Sequence, residues 1–141
     1  MEERIKERYE FRNIHKEETD QAIVIEQICF PPNEACSEKD MRDRIAIAPE
    51  LFLVASDKKT GRIAGFLNGL ATNEQEFRDE FFTDAGLHDP DGKNIMLLGL
   101  DVLPEHREQG LGRELVREYI RREGENGRTM AILTCLQEKV K

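Results

Sequence analysis

IMLLGLDVLPEHREQGLGRELVREYIRRE, residues 95–123, is the stretch that decides the fold of this chain. Residues 95–102 carry six large apolar side chains in eight positions without alternation, which predicts a buried strand. Residues 113–123 place Arg and Glu on one face of a helix and apolar residues on the other, which predicts an amphipathic helix. The predicted apolar stripe consists of Leu111, Leu115, Val116, Tyr119 and Ile120.

The turn between this strand and helix contains Arg107, Gly110 and Gly112. A turn of this kind suits an anion, because the first turn of a helix has unpaired N–H groups and a favourable dipole. Glycine lets the backbone approach a ligand, and arginine adds charge. The spacing Arg-x-x-Gly-x-Gly is neither the dinucleotide fingerprint nor a P-loop. On the glycines alone, a plain strand-to-helix turn fits equally well.

The longer string from Leu100 to Leu115 resembles the coenzyme A motif of the GNAT superfamily of acyl-CoA N-acyltransferases. That motif is a strand, a Val-x-Pro step, then Arg/Gln-x-x-Gly-x-Gly/Ala and a helix. The resemblance implies that the N–H groups of residues 108–113 hold the pyrophosphate of acetyl-CoA, and that the pantetheine arm pairs with residues 100–102. It implies no metal. The implied cofactor-binding residues are Leu100, Asp101, Val102, Arg107, Glu108, Gln109, Gly110, Leu111, Gly112 and Arg113.

Composition limits the class of protein. A length of 141 residues predicts one domain spanning residues 1–141. The net charge of −8 argues against nucleic-acid binding.

The absence of an apolar run near 20 residues in length argues against a membrane span. The charged N-terminus lacks a signal-peptide core, so we expect a cytoplasmic protein. Cys29, Cys36 and Cys135 are odd in number and form no zinc pattern, which predicts free packing thiols.

The first half of the chain predicts a frayed, charged end over residues 1–10 and a short strand near residues 11–14. Thr19 and Asp20 can cap a first helix. The apolar run 22–25 would also fit a strand, but the cap and the helix-length pattern favour the helix. Pro31 and Pro32 end that helix, and Ser37 with Asp40 marks the start of a second, which Pro49 ends.

The second half predicts a β-hairpin from residues 51–56 and 62–72, with Gly65 and Gly69 marking a bulge or a close approach of two backbones. A long acidic connection follows over residues 73–94, with a short helix through Phe77 and Phe81. After the signature helix, residues 130–136 predict a further buried strand. The fold class is therefore α+β, with a mixed, mostly antiparallel sheet flanked by helices. This order matches the GNAT fold over nearly the whole chain.

Within that superfamily, the chain is most similar to the serotonin (arylalkylamine) N-acetyltransferase-like group. Residues 30–38, 87–92 and 99–104 carry this likeness. Two histidines that the vertebrate enzymes use as a proton relay correspond to Met96 and Leu98 here. The C-terminal helix, the last two strands and a tyrosine acting as general acid are also missing. We therefore expect an uncovered sheet edge at this end, with a second copy of the chain as a candidate partner.

The resemblance implies an N-acetyltransferase in which the amine of a small molecule or peptide attacks the thioester directly. The alternative is a domain that binds acyl-CoA without turnover, as a sensor or an interaction module. No catalytic residue is assigned. His88 is a candidate base with nothing to place it at the site, and Cys135 is better read as a packing thiol. Asp101 is placed at the strand bulge, with alternation pointing it away from the Leu100 and Val102 side chains.

Overall fold

A five-stranded sheet organises the computed structural model, which describes residues 2–132. In chain order the strands are β1 Tyr9–Asn13, β2 Phe52–Asp57, β3 Ile63–Thr72, β4 Asn94–Val102 and β5 Met130–Ile132. The helices are α1 Glu2–Arg8, α2 Thr19–Cys29, α3 Glu38–Ile47, α4 Glu80–Thr83 and α5 Leu111–Glu125. The strands lie side by side in chain order. The first four pair antiparallel, and β5 pairs parallel to β4. The predicted α+β fold class is confirmed.

Both faces of the sheet are covered, which is why the central strands show no alternation of polar residues. All six residues of β2 are buried. Leu53 and Ala55 pack on the face covered by α1 and α5, whereas Phe52 and Val54 pack on the face covered by α2 and α3. Successive side chains of a strand point to opposite faces, so each face receives its own apolar set. The predicted hairpin forms from β2 and β3 as expected.

The N-terminus departs from the sequence prediction. Residues 2–8 form α1 rather than a frayed end, and β1 begins at Tyr9. Ile5 and Tyr9 are 5% and 1% exposed and belong to the core beneath α5. Ile5 anchors α1, and Tyr9 anchors the start of β1 directly after it. Their signal was hidden because charged residues surround both of them in the sequence.

The bulges lie beside the predicted glycines. The register of the β3–β4 pair shifts between Asn68 and Gly69, and Leu98 is the extra residue on β4. Asp101 therefore does not lie at the bulge, which corrects that prediction. Gly69 marks a close approach, because a Cβ there would lie 2.6 Å from the carbonyl oxygen of Met96. Next to the unpaired Leu98, the side-chain amide of Asn68 donates a hydrogen bond to the carbonyl of Gly99 at 3.3 Å.

Further elements agree in part. The long connection contains the predicted short helix, α4, but of the two predicted phenylalanines it includes only Phe81, which is fully buried, and Phe77 lies before it. Only Met130–Ile132 of the predicted strand 130–136 falls within the described residues, and Met130 is 40% exposed rather than buried. Cys135 lies outside the described part of the chain. None of the helices within residues 2–132 is both long and apolar enough to cross a membrane.

The apolar stripe of α5 is narrower than predicted. Leu111, Leu115 and Tyr119 are buried, whereas Ile120 is 48% exposed. We expect Leu115→Ala to lower the free energy of unfolding by about 2–5 kcal/mol, because it empties a fully packed site. Ile120→Ala on the same helix should change it by less than about 1 kcal/mol. Urea denaturation followed by circular dichroism measures both. Equal losses would show that α5 is not docked through this face.

Candidate functional site

The segment between β4 and α5 has an unusual backbone. Pro104–His106 forms one 3-10 turn, and α5 begins at Leu111. Glu108 has φ 62° and Gly110 has φ 88°, both in the left-handed region. A non-glycine residue there costs roughly 1–2 kcal/mol. Such backbone strain clusters at functional sites. Two left-handed residues in three positions fold the chain tightly before the helix.

This folded segment leaves a row of backbone N–H groups without protein acceptors. Within residues 2–132, the N–H groups of residues 108–113 donate to no protein oxygen. The next N–H group, that of Glu114, donates to the carbonyl of Gly110 at 3.1 Å. The unpaired groups coincide with the positive end of the α5 dipole. The segment is therefore built to receive an anion with several oxygen atoms.

Side chains fix the end of β4 against this segment. The Arg107 Nε donates to the carbonyl oxygen of Val102 at 2.8 Å, and the thiol of Cys29 lies 3.4 Å from the same oxygen. The N–H group of Leu103 donates to Ala64 on β3 at 2.9 Å. Since backbone groups of successive strand residues point in opposite directions, the polar groups of Val102 point away from β3.

The outer edge of β4 is open beside this segment. β5 pairs with β4 only from Asn94 to Met96, opposite Met130–Ile132. Within the described chain, no strand pairs with residues 97–102 on that side. The outward-pointing backbone groups of Leu100 and the N–H group of Val102 therefore face an open edge, whereas the Val102 carbonyl is bonded to Arg107. An extended ligand can bind such an edge as an additional strand.

A cavity of about 390 Å³ joins the open edge to residues 108–112, the candidate anion-binding segment. It is lined by Cys29, Phe30, Leu100, Val102, His106, Arg107, Glu108, Gly110, Leu111 and Gly112. Seven of the ten residues predicted from sequence are in this set. The other three, Asp101, Gln109 and Arg113, do not line it. Asp101 is fully buried, Gln109 is held by Arg8 at 3.2 Å, and Arg113 is exposed.

Sequence reasoning missed Cys29, Phe30 and His106 as wall residues. For Cys29 and Phe30, the sequence offers one signal: the Phe-Pro-Pro stretch marks the end of α2 and so the position of these two residues. His106 is held by the Tyr9 hydroxyl, 2.6 Å from its Nδ1. Burial raises the pKa of Tyr9, so the phenol keeps its proton at neutral pH.

Met96 and Leu98, which the resemblance to the serotonin N-acetyltransferase-like group predicts at the positions of two histidines, provide no base. Met96 and Leu98 are buried, at 0% and 1% exposure. His88 lies near the opposite end of the sheet, where its Nδ1 accepts from the N–H group of Ala71 at 3.0 Å and its Nε2 lies 3.0 Å from Glu50. Ala71 pairs with the first residues of β4, whereas the cavity lies at the last ones. His88 is therefore a structural residue.

Residues 10–138 match the acetyltransferase (GNAT) family. The chain belongs to this family. A curated relative, the probable hydrolase YhcX of Bacillus subtilis, is 28% identical over 119 residues, which cover 79% of this chain and 23% of the relative. The chain thus spans about a quarter of the length of that curated relative.

Two solved structures show the same GNAT fold. The loading GNATL domain of CurA from Lyngbya majuscula superposes with a TM-score of 0.71 at 21% identity, covering 81% of this chain. The GphF GNAT-like decarboxylase in complex with isobutyryl-CoA superposes with a TM-score of 0.69 at 25% identity, covering 79% of this chain. The chain covers 57% of each of these two structures. The serotonin N-acetyltransferase-like subgroup and the missing C-terminal part stay predictions.

The cysteines in and near the cavity wall are thiols rather than thiolates. Burial raises the pKa of Cys29 to about 11; the Asp101 carboxylate raises it further, and Arg107 opposes this. Burial also raises the pKa of Cys36 to about 11. Both cysteines are free within the described chain, as predicted.

We expect native Cys29 and Cys36 to react with iodoacetamide at pH 8 about a hundredfold more slowly than in the denatured chain, since two pKa units separate the thiolate populations. Peptide-resolved mass spectrometry measures each rate. The rates should rise with pH up to about 11. Labelling of native Cys29 as fast as in the denatured chain would identify an activated nucleophile instead.

Proposed function

We propose that this chain binds acetyl-CoA and transfers its acetyl group to a primary amine of a small molecule or peptide, by direct attack in a ternary complex. One observation carries the proposal. The unpaired N–H groups of residues 108–113, the cavity and the open edge of β4 form one continuous surface. Its two ends match the two chemical parts of the cosubstrate, an anionic pyrophosphate and an amide-bearing arm.

In this arrangement the pyrophosphate accepts hydrogen bonds from the first turn of α5. The pantetheine arm pairs with the outward-facing backbone of Leu100 and Val102. The N–H group of Val102 then lies where it can polarise the thioester carbonyl. The acceptor must attack as a neutral amine, and the departing thiolate must be protonated.

The second candidate function is acyl-CoA binding without turnover. Buried Met96 and Leu98 favour it, because they put apolar side chains where a proton relay would stand. The two candidates share the cosubstrate site and differ in what happens to a bound thioester. A similar structure is described as a decarboxylase with isobutyryl-CoA, so the test below includes a branched acyl group.

Gly112 gives a clean test of the cosubstrate site. A Cβ there would lie 3.6 Å from Leu100 and 3.7 Å from Val102, at ordinary contact distances in the groove between α5 and β4. Gly112→Leu should therefore weaken acetyl-CoA binding by about tenfold or more, since the larger side chain fills the groove. Isothermal titration calorimetry measures the affinity, and thermal unfolding reports on the fold.

Gly124→Leu is the matched control, because Gly124 lies in the same helix and a Cβ there meets nothing within 4 Å. It should bind acetyl-CoA like the unchanged chain. Equal affinity in both variants would place the coenzyme A site elsewhere.

Turnover separates the two candidate functions. The protein is incubated with acetyl-CoA or isobutyryl-CoA and with an arylalkylamine, a polyamine or a peptide that has a free N-terminus. The free thiol of coenzyme A and the acylated amine are both quantified. We expect amine-dependent release of thiol that rises with pH as more of the amine becomes neutral. Tight binding with no acylated amine across the panel would favour the binding domain. Release of thiol without any acceptor would indicate thioester hydrolysis.

A further inference from the structure

A second cavity lies on the other side of the anion-binding segment. It has a volume of about 400 Å³ and is lined by Arg4, Ile5, Arg8, Tyr9 and Gln109. Four of these residues come from α1 and the start of β1. Neither element is part of the coenzyme A motif. Arg4 and Arg8 make this cavity locally positive on a protein whose net charge is −8, which favours an anionic ligand there.

The two cavities share one thin wall. Gln109 lines the second cavity, whereas its chain neighbours Glu108 and Gly110 line the first. Tyr9 of the second cavity contacts His106 of the first, with the hydroxyl 2.6 Å from Nδ1 and the ring centroids 5.6 Å apart. A ligand held at the N–H groups of residues 108–113 therefore lies next to the second cavity.

Arg8 is held in position before any ligand arrives. Its Nη1 donates to Gln109 Oε1 at 3.2 Å, and its Cζ lies 5.1 Å from the centroid of the Tyr9 ring. Its ion pair with Asp57 is long, at 3.8 Å, and leaves much of the guanidinium charge uncompensated. A fixed arginine binds a phosphate with less loss of side-chain entropy.

Arg4 supplies a second, unpaired charge. It precedes Arg8 by one helical turn, so both side chains lie on the same face of α1. Within the described chain, Arg4 forms no ion pair and no side-chain hydrogen bond. Ile5, 5% exposed, anchors this turn in the core. The helix thus presents one bonded and one unpaired guanidinium to the same cavity.

We propose that Arg4 and Arg8 bind the 3′-phosphate of coenzyme A, so that α1 distinguishes coenzyme A from carriers that lack this group. The inference rests on the proposed cosubstrate site. The 3′-phosphate is a phosphate monoester with a charge near −2 at neutral pH. It is attached to the ribose that follows the pyrophosphate, so a pyrophosphate on residues 108–113 brings it to the shared wall. Guanidinium groups recognise such a phosphate through paired hydrogen bonds.

The experiment compares coenzyme A with dephospho-coenzyme A, which differs only in the 3′-phosphate. Calorimetry on the unchanged chain should show about tenfold tighter binding of coenzyme A, and the preference should shrink as salt screens the charges. Arg4→Gln should reduce the preference by about threefold, and Arg4→Gln with Arg8→Lys should nearly abolish it. Affinity for dephospho-coenzyme A should stay unchanged in Arg4→Gln, because Arg4, within the described chain, has no contact with residues 108–113 other than through the second cavity.

Arg78→Gln is the charge-matched control. Arg78 pairs with Glu74 in the long connection between β3 and β4, and its loss should leave the preference intact. Equal binding of the two ligands by the unchanged chain would overturn the inference while leaving the proposed function standing. Binding of neither ligand would overturn the proposed function itself. A parallel loss of affinity for both ligands in Arg4→Gln would show that α1 acts through folding and not through the phosphate.

Discussion

The burial of the inner face of α5 against the sheet is the interaction on which the rest of the structure depends. Leu111 and Leu115 are at most 1% exposed, and the Tyr119 hydroxyl donates to the carbonyl of Leu51 at 2.9 Å. Farther along, Arg122 donates to the carbonyl of Phe11 at 2.7 Å. These contacts lock the helix at both ends. The protein's own contacts therefore position its first turn, with the unpaired N–H groups.

Polar groups inside the sheet keep the middle of β4 in register despite its extra residue. Arg44 is 4% exposed and donates to Asn68 at 3.3 Å and to the carbonyl of Phe82 at 2.7 Å. Asn68 in turn holds the carbonyl of Gly99. Buried polar groups of this kind cost free energy unless they are bonded to one another. The chain connects them across two strands and a helix, so the bulge at Leu98 has a defined shape.

Much of this fold could be predicted from the sequence, because its strongest signals are local. The strand, turn and helix of residues 95–123 each follow from spacing that covers a few neighbours, and the hairpin follows from its turn. The role of α1 could not be predicted in this way, since Ile5 and Tyr9 share their buried cluster with residues far along the chain, such as Leu115 of α5. The cavity wall is similar: Cys29 and His106 lie 77 positions apart and meet only through the tertiary fold. The prediction that Asp101 lies at the bulge was wrong, because the position of the bulge depends on how β4 pairs with β3.

The short pairing of β5 with β4 has a consequence for the exchange of amide hydrogens with solvent. Around the end of β4, alternate residues point their N–H groups to β3 or to the open edge. Leu103 is bonded to Ala64 at 2.9 Å, so it belongs to the first group, while Leu100 and Val102 belong to the second. We therefore expect deuterium uptake along this segment to alternate from one residue to the next. A ligand that pairs with the edge would protect both groups of residues alike.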